Sequence, residues 1–181
     1  VTAAPGYFKS DSRRTEFAWN DWGAVAAFVG DQPVCRIAVN DGAWPYVVAQ
    51  TYRFVDGAFL FHFSRSGRLA AALERDPNCT IEIDQIVSLL KAPRADATSA
   101  EYRSIVARCT AALSTIDLPE NPERAPQRIL AVRATIVTLS ARKRILEEGG
   151  NPAGVAFARY AFPAPVALSQ LPPEAFEPRP Q

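Results

Sequence analysis

The sequence predicts a mainly β chain, folded as a small antiparallel barrel with two short helices. Short runs of alternating apolar and polar residues recur between Asp-Gly turn signals. Only two segments carry helix-start and helix-stop signals. Prolines at 119, 122 and 126 exclude a helix from the long gap late in the chain.

Taken in order, residues 1–19 are mixed and polar and read as a poorly ordered arm. Residues 21–30 read as the first helix, with Asn20 able to cap it, Asp21 favouring its first turn and Gly30 stopping it. Three strands follow, Val34–Val39, Tyr46–Phe54 and Ala58–Ser64, joined by turns at Asn40-Asp41-Gly42 and Asp56-Gly57 as a meander. The second helix spans Ser66–Arg75, with Leu69 and Leu73 one turn apart and Asp76-Pro77-Asn78 ending it. Cys79, Ile81 and Ile83 then alternate with polar residues in a strand that runs to Leu90. Lys91–Ser99 reads as a loop, Glu101–Ser114 as a fifth strand and Ile116–Gln127 as a surface loop. Leu130, Val132, Ala134 and Ile136 open a sixth strand that ends near Ser140. Beyond Gly149-Gly150 the prolines leave an extended or disordered tail. The expected domain map is an arm at 1–19, a barrel at 20–145 and a proline-rich extension at 146–181.

With 181 residues, 48% of them apolar and 22% charged, the chain has the profile of one soluble globular domain. A net charge of +1 argues against nucleic acid as a partner. No apolar run reaches the roughly 18 residues of a membrane-spanning helix, and Val1–Ser10 lacks a signal-peptide profile, so the expected compartment is the cytoplasm. The three cysteines, Cys35, Cys79 and Cys109, are widely spaced and His62 is the single histidine, which leaves no metal-site pattern. There is no P-loop, GxGxxG or GxSxG element. An enzyme with so few reactive side chains needs an organic cofactor.

The segment Phe61-His62-Phe63-Ser64-Arg65-Ser66-Gly67-Arg68-Leu69 is the most informative. A strand ends, a polar turn follows and a helix begins, and helix N-termini hold anions. Ser64 and Ser66 add hydroxyls, Gly67 allows close approach, and Arg65 and Arg68 add guanidinium groups suited to phosphate. The competing reading is that Ser66 caps the helix and the arginines are solvated. His62 points away from the flanking phenyl rings. It serves either a cofactor or a neighbouring backbone group. Trp44, next to a turn, fits a dimer interface, a substrate-stacking position or its own barrel rim. Trp19 and Trp22 read as core residues, as do the Cys35 and Cys79 thiols. Arg142-Lys143-Arg144 reads as a solvated strand end or a dimer salt-bridge site.

Several stretches in their order resemble the FMN-binding split-barrel family, which includes pyridoxamine 5′-phosphate oxidase-like proteins. They are Val34–Val39, Asp41-Gly42-Ala43-Trp44-Pro45-Tyr46-Val47-Val48-Ala49, Asp56-Gly57-Ala58-Phe59-Leu60-Phe61-His62-Phe63, Gly67-Arg68-Leu69 and Asp76-Pro77-Asn78. The likeness is nearer to the nitroimidazole-resistance (5-nitroimidazole reductase) branch, whose "YRSV" strand is similar to Tyr102-Arg103-Ser104-Ile105-Val106. The resemblance implies a six-stranded split barrel acting as a homodimer, with FMN at the subunit interface and a small-molecule substrate. It implies that Val47, Val48, Ala49, Gln50 and Thr51 run beside the flavin ring. Ser64, Ser66, Arg68 and the backbone of Leu69 would bind the phosphate, with His62 contributing. Tyr102, Arg103 and Ser104 would approach the cofactor across the dimer, Trp44 and Tyr102 would face the substrate, and Tyr102 and His62 are the catalytic candidates. The sequence departs from the family pattern at Ala49-Gln50, where a proline is usual, at Leu69, where a basic residue is usual, and at Cys109, where a glycine is usual. Those departures bear on flavin loading and substrate type. Open beside the flavoenzyme are a barrel that holds flavin or haem without turnover and a cofactor-free barrel acting through its side chains.

Overall fold

The computed structural model describes residues 3–9, 14–92, 98–117, 128–146 and 158–163. It contains two helices, α1 (Trp22–Asp31) and α2 (Arg68–Arg75). Eight strands are described: β1 (Val34–Asp41), β2 (Trp44–Thr51), β3 (Arg53–Val55), β4 (Ala58–Ser64), β5 (Asn78–Lys91), β6 (Ser99–Asp117), β7 (Arg128–Arg144) and β8 (Ala158–Ala161). They form one antiparallel sheet in the order β2-β1-β5-β6-β7-β4-β3, with β8 paired to β5 beyond the end of β1.

The six expected strands are thus present, and two more join them. The run read as Tyr46–Phe54 divides at Tyr52, so its two halves lie at opposite ends of the hydrogen-bonded path. The sheet wraps round, and the covalent chain at Tyr52 joins its ends where no ladder does. This is the split in the barrel. Tyr52 is buried and packs on Phe59, and its hydroxyl donates to the Val29 carbonyl at 2.5 Å. That carbonyl lies in the last turn of α1, where backbone acceptors have no partner within the helix. One hydrogen bond therefore pins α1 to the break. β8 falls in the tail read as irregular, and the rest of the extension, like the loop at 118–127, lies outside the described residues.

Both tight turns follow from residue type. Asp56 and Gly57 have φ of 48° and 69°, and a two-residue hairpin needs such values at both central positions. At the first hairpin Asp41 pairs with Trp44, so the turn proper is Gly42-Ala43, with Gly42 at φ 69°. Asn40 and Asp41, read as turn residues, instead extend β1. The first cap also differs from expectation. Asp21, not Asn20, caps α1 by accepting from Ala24 N at 3.1 Å, and Gly30 lies inside the helix. Asp21 was free to cap because its backbone is extended, with the helix beginning one residue later.

The core lies between the sheet's inner face and the two helices. Phe59, Ile37, Ile81, Ile83, Ile105, Val132 and Leu139 meet Val25, Phe28 and Val29 of α1 and Leu69, Ala70, Ala72 and Leu73 of α2. Trp19 is buried against Phe28, and the described part of the N-terminal arm is docked, contrary to its polar composition. Tyr7 and Phe8 pack on Trp22, and Phe8 bridges to Leu139. The basic cluster Arg142-Lys143-Arg144 lies within β7, the sixth expected strand, rather than after it. Lys143 sits over the Trp19 ring and Arg144 over Phe17, and Arg144 also donates to Ser99.

Ser88 and Glu101 are the buried polar residues among those described. The Glu101 carboxylate accepts from Ser88 Oγ at 2.5 Å, from Leu146 N at 2.7 Å and from Arg159 at 3.0 Å. Arg159 also donates to the Leu146 carbonyl. A single buried acid thus grips the exit of β7 and Arg159 of β8.

Replacing Tyr52 by Phe removes the bond at the split while keeping the ring. Leaving the Val29 carbonyl buried without its donor should cost about 1–3 kcal/mol of stability, read as a lower urea midpoint at an unchanged slope.

Candidate functional site

The phosphate-type end is built where β4 stops. Ser64 closes a turn by accepting from Gly67 N at 3.2 Å, and the Ser64 and Ser66 hydroxyls lie 3.0 Å apart. The helix starts at Arg68 with Gly67 at the cap, two residues later than Ser66, and no side chain caps it. Ser66 is therefore not the cap, and the first-turn N–H groups keep their donor capacity. Leu69 is buried in the core, so its backbone alone can face a ligand. Arg65 lies 3.8 Å from Glu74.

Arg68 is held from two sides. Its Nε donates to Asp41 Oδ2 at 2.5 Å, and its guanidinium lies 4.5 Å from the Tyr46 ring centroid. The other oxygen of Asp41 accepts from Arg75 at 3.0 Å, and Arg75 also reaches the Asn40 carbonyl. Asp76 accepts from Asn40 and Asn78 close by. The Arg68 and then the Arg75 hydrogen bonds hold the Asp41 carboxyl below its ordinary range. The Asn40 bond does the same for Asp76.

The second expected element is β2, an edge strand. Val47, Ala49 and Thr51 are on its exposed face, whereas Val48 and Gln50 turn to the half-buried face, and Val48 packs on the core. Of this segment only Val47, Ala49 and Thr51 can offer side chains to an external ring. Val48 and Gln50 are limited to backbone groups. Trp44 is 77% exposed, which leaves the barrel-rim reading without support. In the ladder Ala49 stands beside Arg36 and Arg36 beside Glu82. Arg36 pairs with Glu82 at 3.0 Å and with Asp84. Burial, then the Asp84 charge, push the Glu82 carboxyl up.

His62 is exposed on β4, opposite to buried Phe61, and its side chain makes no hydrogen bond among the described residues. The backbone-bonded alternative is therefore not realised. On β6, Tyr102 and Ser104 share a face with Val106, which is exposed, while Arg103 points the other way and donates to Gln85 Oε1 at 3.1 Å. Arg103 is thus engaged with its own sheet, because it alternates in step with buried Glu101 and Ile105. The structure brings Ser64, Ser66, Arg68 and the start of β2 together through Asp41 and Tyr46. It does not bring Tyr102 and Ser104 to that end, since β1 and β5 lie between β6 and β2.

All three cysteines are buried and free, with Cys79 and Cys109 directly opposite in the β5–β6 ladder. Burial pushes the Cys35 thiol up to about 12, as expected of an inert core residue. Among the described residues no group of acids, cysteines and histidine could hold a metal, and no helix is long and apolar enough to cross a membrane. Asp41 is the main residue the sequence reading missed as a site component. Its pairing with an aromatic and two arginines left no local signal beyond the Asp-Gly turn.

The pyridoxamine 5′-phosphate oxidase family model matches residues 21–144. The chain belongs to this family. No curated protein matches it in sequence. Among solved structures it is similar to the flavocytochrome Anf3 from Azotobacter vinelandii, with 19% identity, a TM-score of 0.61 and coverage of 93% of this chain and 92% of that one. It is similar also to an FAD- and haem-binding protein from Mycobacterium smegmatis, with 13% identity, a TM-score of 0.60 and coverage of 89% and 93%. A Bacteroides thetaiotaomicron protein assigned to 5-nitroimidazole antibiotic resistance has 14% identity and a TM-score of 0.54, with coverage of 69% and 85%. At these identities the family member shares the fold of its neighbours, and the split barrel expected from the sequence stands.

The depressed Asp41 carboxyl makes a pH prediction. A group with a lowered folded-state pKa adds stability that is complete above its unfolded value, about 3.9, and lost as pH falls through the folded value. Urea midpoints of the wild type and Asp41→Asn should therefore differ most near neutral pH and converge as the pH falls below the unfolded value of about 3.9.

Proposed function

We propose that this family member is a flavin-binding oxidoreductase of small organic molecules, acting as a homodimer with FMN as its cofactor. The observation that carries the reading is the Ser64–Arg68 corner. There a buttressed guanidinium, two hydroxyls and an uncapped helix start converge beside an exposed edge strand. That donor set suits a phosphate monoester. A bound flavin supplies hydride and electron transfer at its ring.

The chain's own residues bind and orient. Arg68, Ser64, Ser66 and the Leu69 N–H grip the phosphate. Val47, Ala49 and Thr51 give the ring an apolar wall, and the outer edge of β2 offers it backbone hydrogen-bonding groups. His62, exposed and unbonded among the described residues, donates to a polar oxygen of the cofactor. Trp44 and Tyr102, the latter from the partner subunit, cover the free face of the ring and exclude water from a stacked substrate. Nitro-group reduction and pyridoxamine-phosphate oxidation both fit such a site.

The dimer reading rests on the outer sheet face, where Val47, Val106 and Val137 are 55%, 42% and 58% exposed, and on Trp44 at the start of β2, which is 77% exposed. A surface cavity of about 450 Å³ lies there, lined by Pro45, Thr80, Arg108 and Val137 among others. Apolar side chains spread over one face of a monomer mark a contact surface. Light scattering at micromolar concentration should give twice the chain mass, and a monomer would remove the interfacial site.

A second reading is haem bound beside or instead of flavin. It is favoured by the unbonded His62 and by the two neighbours named for haem, which also span most of this chain. Absorbance of protein reconstituted with FMN or with hemin separates the cases. Flavin bands support the main reading, and a Soret band that His62→Ala abolishes supports the second. Protein that takes up neither points to a barrel working without a cofactor. In the flavin case Arg68→Ala should fold normally and bind FMN about 10- to 150-fold more weakly, from the loss of about 1.5–3 kcal/mol. Unchanged affinity would move the phosphate site elsewhere.

A further inference from the structure

We infer that Asp41 is the positioning residue of the Arg68 anchor, holding the guanidinium so that its free edge grips a phosphate monoester. The inference rests on the phosphate-binding reading of the Ser64–Arg68 corner. A guanidinium has one edge carrying Nε and one Nη, and a second edge carrying both Nη groups. Asp41 takes the Nε position, and the Tyr46 ring supports one face. Neither Nη of Arg68 makes a hydrogen bond among the described residues, and the side chain is 60% exposed. An arginine on a solvent-exposed stem ordinarily samples many rotamers, and immobilising it on binding costs affinity. Here the Asp41 bond and the Tyr46 ring already restrain the side chain before any ligand arrives.

Asp41 is itself fixed by two contacts besides Arg68. Its place at the end of β1 is set by pairing with Trp44 across the Gly42-Ala43 turn. Its second oxygen is occupied by Arg75, which is anchored in turn on the Asn40 carbonyl. The carboxylate is thus held independently of Arg68 and can act on it as a stop. Asp41 is the one carboxylate that bonds both guanidinium groups, and Asp76 stands on the Arg75 side of the cluster, away from the Arg68 bond.

Charge and position make opposite demands, which gives the test its edge. If Asp41 merely neutralised the corner, removing its charge would tighten phosphate binding. If it positions Arg68, removing it loosens the grip although the corner becomes more positive. The experiment compares FMN with riboflavin, which lacks the phosphate, by fluorescence titration of the wild type, Asp41→Asn, Arg68→Ala and the double variant. Melting temperatures of the apoproteins are recorded alongside. FMN affinity should fall about tenfold in Asp41→Asn, with riboflavin affinity unchanged and no further loss when Asp41→Asn is added to Arg68→Ala. Asp41→Glu keeps the carboxylate and should recover part of the loss, and it serves as the working variant if Asp41→Asn does not fold.

Equal or tighter FMN binding by Asp41→Asn overturns the inference and leaves the flavin reading standing. Equal loss of FMN and riboflavin also overturns it, because that is the signature of a merely structural role. A wild type that does not distinguish FMN from riboflavin shows that the corner grips no phosphate. A wild type that binds neither overturns the inference and the flavin reading together.

Discussion

Tyr52 marks the place where this sheet fails to close. A strand that had continued through residue 52 would have paired along its whole length with one neighbour. Instead the chain bends, and β2 and β3 go to opposite ends of a seven-strand path. The break is sealed by side chains: the buried Tyr52 ring, its bond to Val29, and the α1 residues that cover the inner surface. Everything proposed for the outer surface follows from this. Because β2 is an edge, its backbone is open on one side, its exposed face carries Val47, Ala49 and Thr51, and its first residue, Trp44, projects into solvent. A closed barrel would have had no such open backbone edge.

The polar chemistry is divided between two clusters of different character. At the end of β1 a single carboxylate holds two arginines, and with Asp76 close by the charges balance. Five residues back along the same strand, Arg36 faces Glu82 and Asp84, and there the carboxylates outnumber the cation. The cluster with acid in excess repels an anion, whereas the first presents the two Nη groups of Arg68, which make no hydrogen bond among the described residues. Charge count along the strands, rather than the number of arginines nearby, is what distinguishes a candidate anion site from a solvated ion-pair network.

Most of the barrel was legible because strand periodicity is written in the residues that face inward. Ile37, Ile81, Ile83, Val132 and Ala134 alternate with polar neighbours, and each lies in the core. The two Asp-Gly turns were legible for the same local reason. What could not be read was anything requiring knowledge of a distant partner. Tyr46–Phe54 looked like one strand because bending at Tyr52 is imposed by α1, some twenty residues earlier. β8 was invisible because Ala158–Ala161 is exposed along its length and has no alternation, and its place comes from pairing with β5. At the site, the serines and Arg68 were legible from the strand–turn–helix pattern. For Arg103 the likeness to a family strand gave its neighbourhood but not its facing, which is toward Gln85. Asp41 was hidden because its partners Arg68 and Arg75 are 27 and 34 residues away.

Glu101 has a consequence for how freely this family member can vary. Its carboxylate binds Leu146 on one side and Arg159 on the other, and Arg159 closes back on the Leu146 carbonyl. The two ends of the segment between them are therefore fastened to the same buried point, whatever the connection does. The entropy of closing such a connection grows only with the logarithm of its length, by about 0.6 kcal/mol per doubling. Insertions between residues 147 and 157 are thus tolerable, while the seat of β8 stays put. Selection can lengthen, shorten or decorate that stretch at little thermodynamic expense, so long as the acid at 101 and the arginine at 159 are kept as a pair.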